Sequence, residues 1–195
     1  MAKKQQKKEK YSNLHELLIL KLQVLHDVEN QLIKALPKMA KAATDPKLRQ
    51  AFTDHLKQTK GHEERIDKAL MHMGDTGKHK EKSDAIRGLI KDADWCIKNV
   101  KKSEARDAVL IAAAQYVEHY EMAGYGAARS WAELMGHEAV ASLLQMTLNE
   151  EGEANELLTS LAQGGINEKA NDMYEEKGRA EDALVEEEEI RVGVV

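Results

Sequence analysis

The chain has 195 residues, 42% apolar and 32% charged, with a net charge of −5, which suits one hydrophobic core under a surface of mixed sign. Two Trp, five Tyr, one Phe and two prolines are too few for a β-sandwich or barrel and favour an all-α domain. A single cysteine, Cys96, excludes an internal disulfide and a Cys-based zinc site. No run reaches the roughly 18–20 apolar residues that span a bilayer. The basic start lacks a signal-type apolar core, so a cytoplasmic protein without membrane association is expected.

Charge divides the chain into three. Residues 1–10 carry five Lys and one Glu, a net of +4. Residues 166–195 carry ten acids and four bases, a net of −6, leaving the middle near −3. The expected organisation is a basic arm over 1–11, a bundle over 12–164 and an acidic tail over 165–195. Both ends read as mobile solvated segments, and five lysines are too weak a signal to name a nucleic-acid partner.

The middle reads as four long helices and a short one. Asn13 followed by Glu16 resembles a capping box. It opens a helix to about Ala43, in which Pro37 predicts a kink or local break. Asp45-Pro46 starts a second helix, which ends near Gly74. After a polar loop, a shorter helix spans about 84–100 with Ile86, Leu89, Ile90, Trp95 and Ile97, facing the bundle or a second subunit. Ser103 opens the next long helix, which ends at Gly136, and the last spans about 138–163 before Gly164-Gly165. Connections of a few residues make the first pair and the last pair antiparallel hairpins. The roughly 30-residue link between the pairs is long enough to cross the bundle. That connectivity is a ferritin-like four-helix bundle with a short extra helix in the crossover.

Each apolar seam is interrupted near its middle by residues able to ligate metal. The first helix gives Leu18, Leu22, Leu25, Glu29, Leu32, Leu36 and Met39. The second gives Phe52, His55, Thr59, His62, Ile66, Ala69 and Met73, and a neighbouring register would turn Glu63 inward. The third long helix gives Ile111, Ala114, Glu118, Glu121, Tyr125, Ala128, Ala132 and Met135. The fourth gives Val140, Leu143, Thr147, Glu150, Ala154, Leu157 and Leu161. Glu29 lies 15 residues before Thr44, and His62 lies 17 after Asp45. Glu121 lies 15 residues before Gly136, and Glu150 lies 14 after it. Equal distance from a hairpin turn means equal height, so the polar residues meet at mid-bundle. Buried carboxylates without counter-charge are costly, and no Lys or Arg lies on these seams at that height. Metal ions are the natural balance, and carboxylates with imidazole suit two iron or two manganese ions. Taken one at a time, these residues have blander readings: a solvated Glu, a plain polar His, a core Tyr125.

Three stretches carry a resemblance. ENQLIKALPKMAKAA (Glu29–Ala43), DAVLIAAAQYVEHYEMAGYG (Asp107–Gly126) and LLQMTLNEEGEANELL (Leu143–Leu158) resemble the YciE/YciF stress-protein family over about residues 12–163. The resemblance implies a ferritin-like, rubrerythrin-related fold of unknown function, an association with bacterial stress responses and a homodimer. The wider rubrerythrin-like ligand pattern implies Glu29 from the first helix, His62 from the second, Glu118 and Glu121 from the third and Glu150 from the fourth. Two positions depart from it: Thr59 stands where a Glu is expected, with Glu63 one position from His62, and Glu153 stands where a His is expected. The expected metal ligands are therefore Glu29, His62, Glu118, Glu121, Glu150 and Glu153, and O2 or peroxide is the expected small-molecule substrate. The competing reading is a non-enzymatic structural or partner-binding bundle, whose polar core is a protonated hydrogen-bond network.

Overall fold

A computed structural model describes residues 11–77 and 81–172. The basic arm and most of the acidic tail lie outside the described residues. Among those described, all regular structure is helical: α1 Leu14–Ala42, α2 Pro46–His72, α3 Asp84–Asn99, α4 Glu104–Leu134 and α5 Glu138–Leu161. A π-helical turn, Ala162–Ile166, follows α5. No described helix is long and apolar enough to cross a membrane.

Local chemistry sets the helix ends. Asn13 accepts from the Glu16 amide, and the Glu16 carboxylate accepts from the amide of Ser12, one residue before the cap, a variant of the capping box. Asp45 accepts from the Lys47 and Leu48 amides while Pro46 fills the first turn of α2. The left-handed backbone after α2 and α4 falls on Gly74 and Gly136. Ser103 caps α4 by position only, since its hydroxyl donates to the Lys101 carbonyl. Pro37 does not break α1, which runs 29 residues through it. The buried Leu32, Leu36 and Met39 hold both sides of the proline in the same core.

The α1–α2 and α4–α5 hairpins pack with α2 against α5 and α1 against α4. The α3 helix carries the crossover along α1 and α4. It buries Ile86 and Ala93 and packs Leu89, Ile90 and Ile97 within the chain, whereas Trp95 is 62% exposed. Two apolar half-cores result. One gathers Leu36, Met39, Leu48, Phe52, Leu110 and Leu158 near the α1–α2 turn. The other gathers Leu18, Leu22, Ile66, Leu70, Ala132 and Leu144 near the α4–α5 turn. Ile166 is buried in the first, so the packed unit reaches beyond the expected boundary at 164. The polar seam residues lie between the two half-cores.

The α1–α2 turn is tied to α4 by one buried carboxylate. Asp107 accepts from the Thr44 amide at 2.8 Å, from the Asp45 amide at 2.7 Å and from the Thr44 hydroxyl. Removing it orphans amide groups at the bundle end. Asp107→Ala is expected to cost about 2–4 kcal/mol, given that bonds to a charged acceptor are worth roughly 1.5–3 kcal/mol. A loss of Tm in thermal melts, with metal content unchanged, checks this.

Candidate metal centre

Four helices deliver six side chains to one level. Glu29 comes from α1, His55 and His62 from α2, Glu118 and Glu121 from α4, and Glu151 from α5, all buried. On α2 the two histidines sit two turns apart on one face with ring centroids 6.1 Å apart. Thr59 between them is fully buried, and its hydroxyl donates to the His55 carbonyl. That threonine takes up no ligating position and leaves the level to imidazole.

The ligand atoms form two groups that share one residue. Glu29, His62 and Glu151 make one; His55, Glu118, Glu121 and Glu151 make the other, with the offered atoms of each group within 4.8 Å of one another. His62 Nδ1 lies 2.9 Å from Glu151 Oε1 and 3.6 Å from Glu29 Oε2. His55 Nε2 lies 3.5 Å from Glu118 Oε1 and 3.7 Å from Glu151 Oε2. Glu29 Oε2, His62 Nδ1, Glu118 Oε2 and both oxygens of Glu121 and of Glu151 have no hydrogen-bond partner. Native interiors seldom leave buried polar atoms unpaired, so seven at one point demand an explanation.

Neighbouring groups orient the ligands. The Tyr125 hydroxyl donates to Glu29 Oε1, and the residue is fully buried in the core. His62 Nε2 lies 2.8 Å from Glu150 Oε2, and donation there aims Nδ1 at Glu29 and Glu151. His55 Nδ1 lies 3.4 Å from Gln58 Oε1, which likewise turns Nε2 toward Glu118 and Glu151. Arg65 holds Glu150 at 2.5 Å through Nη2 and Thr147 at 2.9 Å through Nε.

Burial sets the electrostatics. It pushes Glu118 up to about 8, with the Glu151 carboxylate adding to the rise and His55 opposing it. Glu121 is raised well above the ordinary carboxylate range by burial and then by the charges of Glu29, Glu151 and Glu118. Burial also raises Glu151, against the pull of His62. Burial alone would lower His62, but the Glu151 and Glu29 carboxylates outweigh it and lift the imidazole to about 10. Burial would raise Glu150 too, yet the bonds from Arg65 and His62 hold it below the usual range. Four acids thus share a site whose buried counter-charge is the His62 imidazolium.

The structure brings together four of the six expected residues: Glu29, His62, Glu118 and Glu121. On α5 the inward series is Val140, Leu144, Thr147, Glu151 and Leu158, one position on from the expected one at three places. Glu150 therefore stands beside the cluster and touches it only through His62. Glu153 is exposed on the outer face. Glu63 is also outside, near Asn30 and His26. Arg65 lies off the seam but reaches the level of the site from its flank, a basic group that the seam count misses.

Comparisons with known proteins agree with this architecture. A family model described as a domain of unknown function, DUF892, matches residues 13–171. The chain is similar to Protein YciF of Escherichia coli strain K12, 42% identical over 157 residues, which are 80% of this chain and 95% of that protein. The crystal structure of the E. coli stress protein YciF superposes with a TM-score of 0.77 over 82% of this chain and all of that one. YcfI of Rhodopseudomonas palustris, described as a candidate structural protein, superposes with a TM-score of 0.74 at 38% identity over 78% of this chain and 97% of its own.

Proposed function

This chain belongs to the DUF892 family, and we propose that it binds two iron or two manganese ions in the polar layer of its bundle as a protein of stress defence. The observation that carries this reading is the convergence of seven unpaired buried nitrogen and oxygen atoms on two groups joined by Glu151. In ferritin-like dimetal proteins the usual set is a Glu from each of two helices and a Glu-x-x-His from each of the other two, in all four carboxylates and two imidazoles. The same inventory is present here, dealt differently: both imidazoles come from α2, and α4 gives two carboxylates. Four ionised carboxylates balance two divalent cations, which removes the cost of burying them.

When bound, the ions would supply redox chemistry toward O2 or peroxide. The chain's own part is to hold Glu29 through Tyr125, His62 through Glu150, and His55 through Gln58, and to keep the site between two dry half-cores. The alternative is a structural bundle with a protonated network; the 2.9 Å approach of His62 Nδ1 to Glu151 Oε1 suits it, while both oxygens of Glu121 without a hydrogen-bond partner favour metal.

Elemental analysis of protein expressed in metal-replete medium and purified without chelator tests the reading. Two ions per chain are expected; absence of iron and manganese overturns it. A finer check falls on Glu150, which only orients His62. Glu150→Gln is expected to weaken metal binding about 10–100-fold, the usual loss when such an orienting partner is removed, without abolishing it. Metal titration reads the change.

A further inference from the structure

A cavity of about 400 Å³ opens between α2 and α5 and ends on the metal centre. Its walls are Ala51, Phe52, Ala154, Leu157 and Leu158, and its inner end is His55 and Glu118. The volume falls within the roughly 300–1,000 Å³ typical of small-molecule sites, which pair apolar walls with a few convergent polar groups. Glu118 is 3% exposed, and its Oε2 has no hydrogen-bond partner. Leu157 is half exposed beside the cavity, an apolar side chain for which the bundle core has no use. Of the other hydrophilic lining residues, Asp54, Lys57 and Glu153 are exposed and Gln58 is half-buried against His55, and Lys57 is already paired with Asp54 at 2.7 Å.

We propose that this cavity binds a neutral small molecule with an apolar body and one polar end, such as an organic hydroperoxide or its alcohol, with the polar end at His55 and Glu118. The assignment rests on the metal-centre reading for its purpose but not for its binding energy, which comes from the apolar walls. Charge argues for the neutral occupant. An anion would meet the Asp54 and Glu153 carboxylates further out and an uncharged acid at the inner end, with no unpaired cation among the described lining residues. A cation would lose its hydration among five apolar side chains. Of the two metal groups, only the one containing His55 and Glu118 borders the cavity, so the occupant would reach one side of the centre.

The probe is 2-phenyl-2-propanol, with benzoate as a charged control of similar size, added to metal-free full-length protein. Methyl NMR signals of Ala154, Leu157 and Leu158 report binding. Saturable shifts are expected with the alcohol, and at least about tenfold weaker binding with benzoate, since a charge would enter unpaired. Ala154→Phe fills the cavity and is expected to abolish the shifts at unchanged metal stoichiometry; Ala51→Leu serves the same purpose if the first variant misfolds. Absence of shifts in the parent, equal binding of benzoate, or binding that survives both fillings overturns the proposal. Probe binding by a chain that takes up no metal would sink the metal-centre reading and leave the cavity assignment standing. Metal uptake without probe binding would do the reverse.

Discussion

Glu151→Gln is expected to lose metal from both halves of the centre and, in its metal-free form, to be less stable than the metal-free parent. Glu151 is the one residue common to the two groups of ligand atoms. Loss of an orienting partner costs about 10–100-fold in affinity, so loss of a shared ligand should exceed about 100-fold. The metal-free form loses stability as well. Glu151 is fully buried, and its Oε1 lies 2.9 Å from His62 Nδ1, whose imidazole it helps to keep charged. An amide cannot balance that charge, and removing one partner of a buried ion pair costs about 3–5 kcal/mol. For a chain of this size each kcal/mol moves Tm by about 2–4 °C. Elemental analysis beside thermal melts in chelator reads both effects. A variant that keeps two ions contradicts the bridging role, and one whose metal-free form melts above the metal-free parent contradicts the ion pair with His62.

That residue was the one the sequence could not single out, and the reason lies in α5 itself. Leu143-Leu144, Glu150-Glu151 and Leu157-Leu158 are tandem pairs spaced seven apart. Seven residues are close to two helical turns, so the first members share one stripe and the second members share the next. Val140 and Thr147 fit both stripes and do not decide. The choice falls to packing against α2, where Arg65 captures Glu150 and Thr147 from the flank and leaves Glu151 to turn inward. On α1 and α2 tandem neighbours also occur, but the expected register is the one packed inward: every expected seam residue is buried there, His55 and Glu29 included, and Glu63 stays outside. The α4 seam is equally legible up to Ala132.

The height of the site was legible because hairpin turns are local signals. Gly136 and Asp45-Pro46 fix where each pair of helices reverses, and counting from them locates mid-bundle. Orientation at a given height is not local. Glu153 satisfies the spacing from Glu150 but not the register set by Glu151, and it faces water. Pro37 shows the same limit from the other side: its local preference predicts a break, yet α1 stays continuous because its buried face runs unbroken across the proline.

The metal-free bundle is expected to lose stability as pH rises, and the metal-loaded bundle to gain it. Glu118 moves from an ordinary value of 4.5 to about 8 in the folded protein. A group raised on folding contributes stability that is complete below its unfolded value and is lost as pH climbs through the folded one. Glu121 and Glu151 are raised as well, so they act in the same direction. His62, lifted from 6.5 to about 10, extends the loss to alkaline pH. Asp27 works oppositely. Burial would raise it, but bonds from Lys82, the Ser83 amide and Gln31 hold it low, so its contribution disappears only in acid below the range of interest. Metal reverses the main trend because ligands must be deprotonated to bind, so affinity rises with pH and protons are released. Between pH 5 and 8.5 the metal-free Tm should fall by at least about 5 °C, while the gap between metal-loaded and metal-free protein widens. Melts with chelator or with Mn(II) read the slopes, and titration calorimetry in buffers of different ionisation enthalpy counts the protons. A metal-free Tm that climbs over this range, or metal binding that releases no protons, would mean that the buried acids are not the groups that exchange protons for metal.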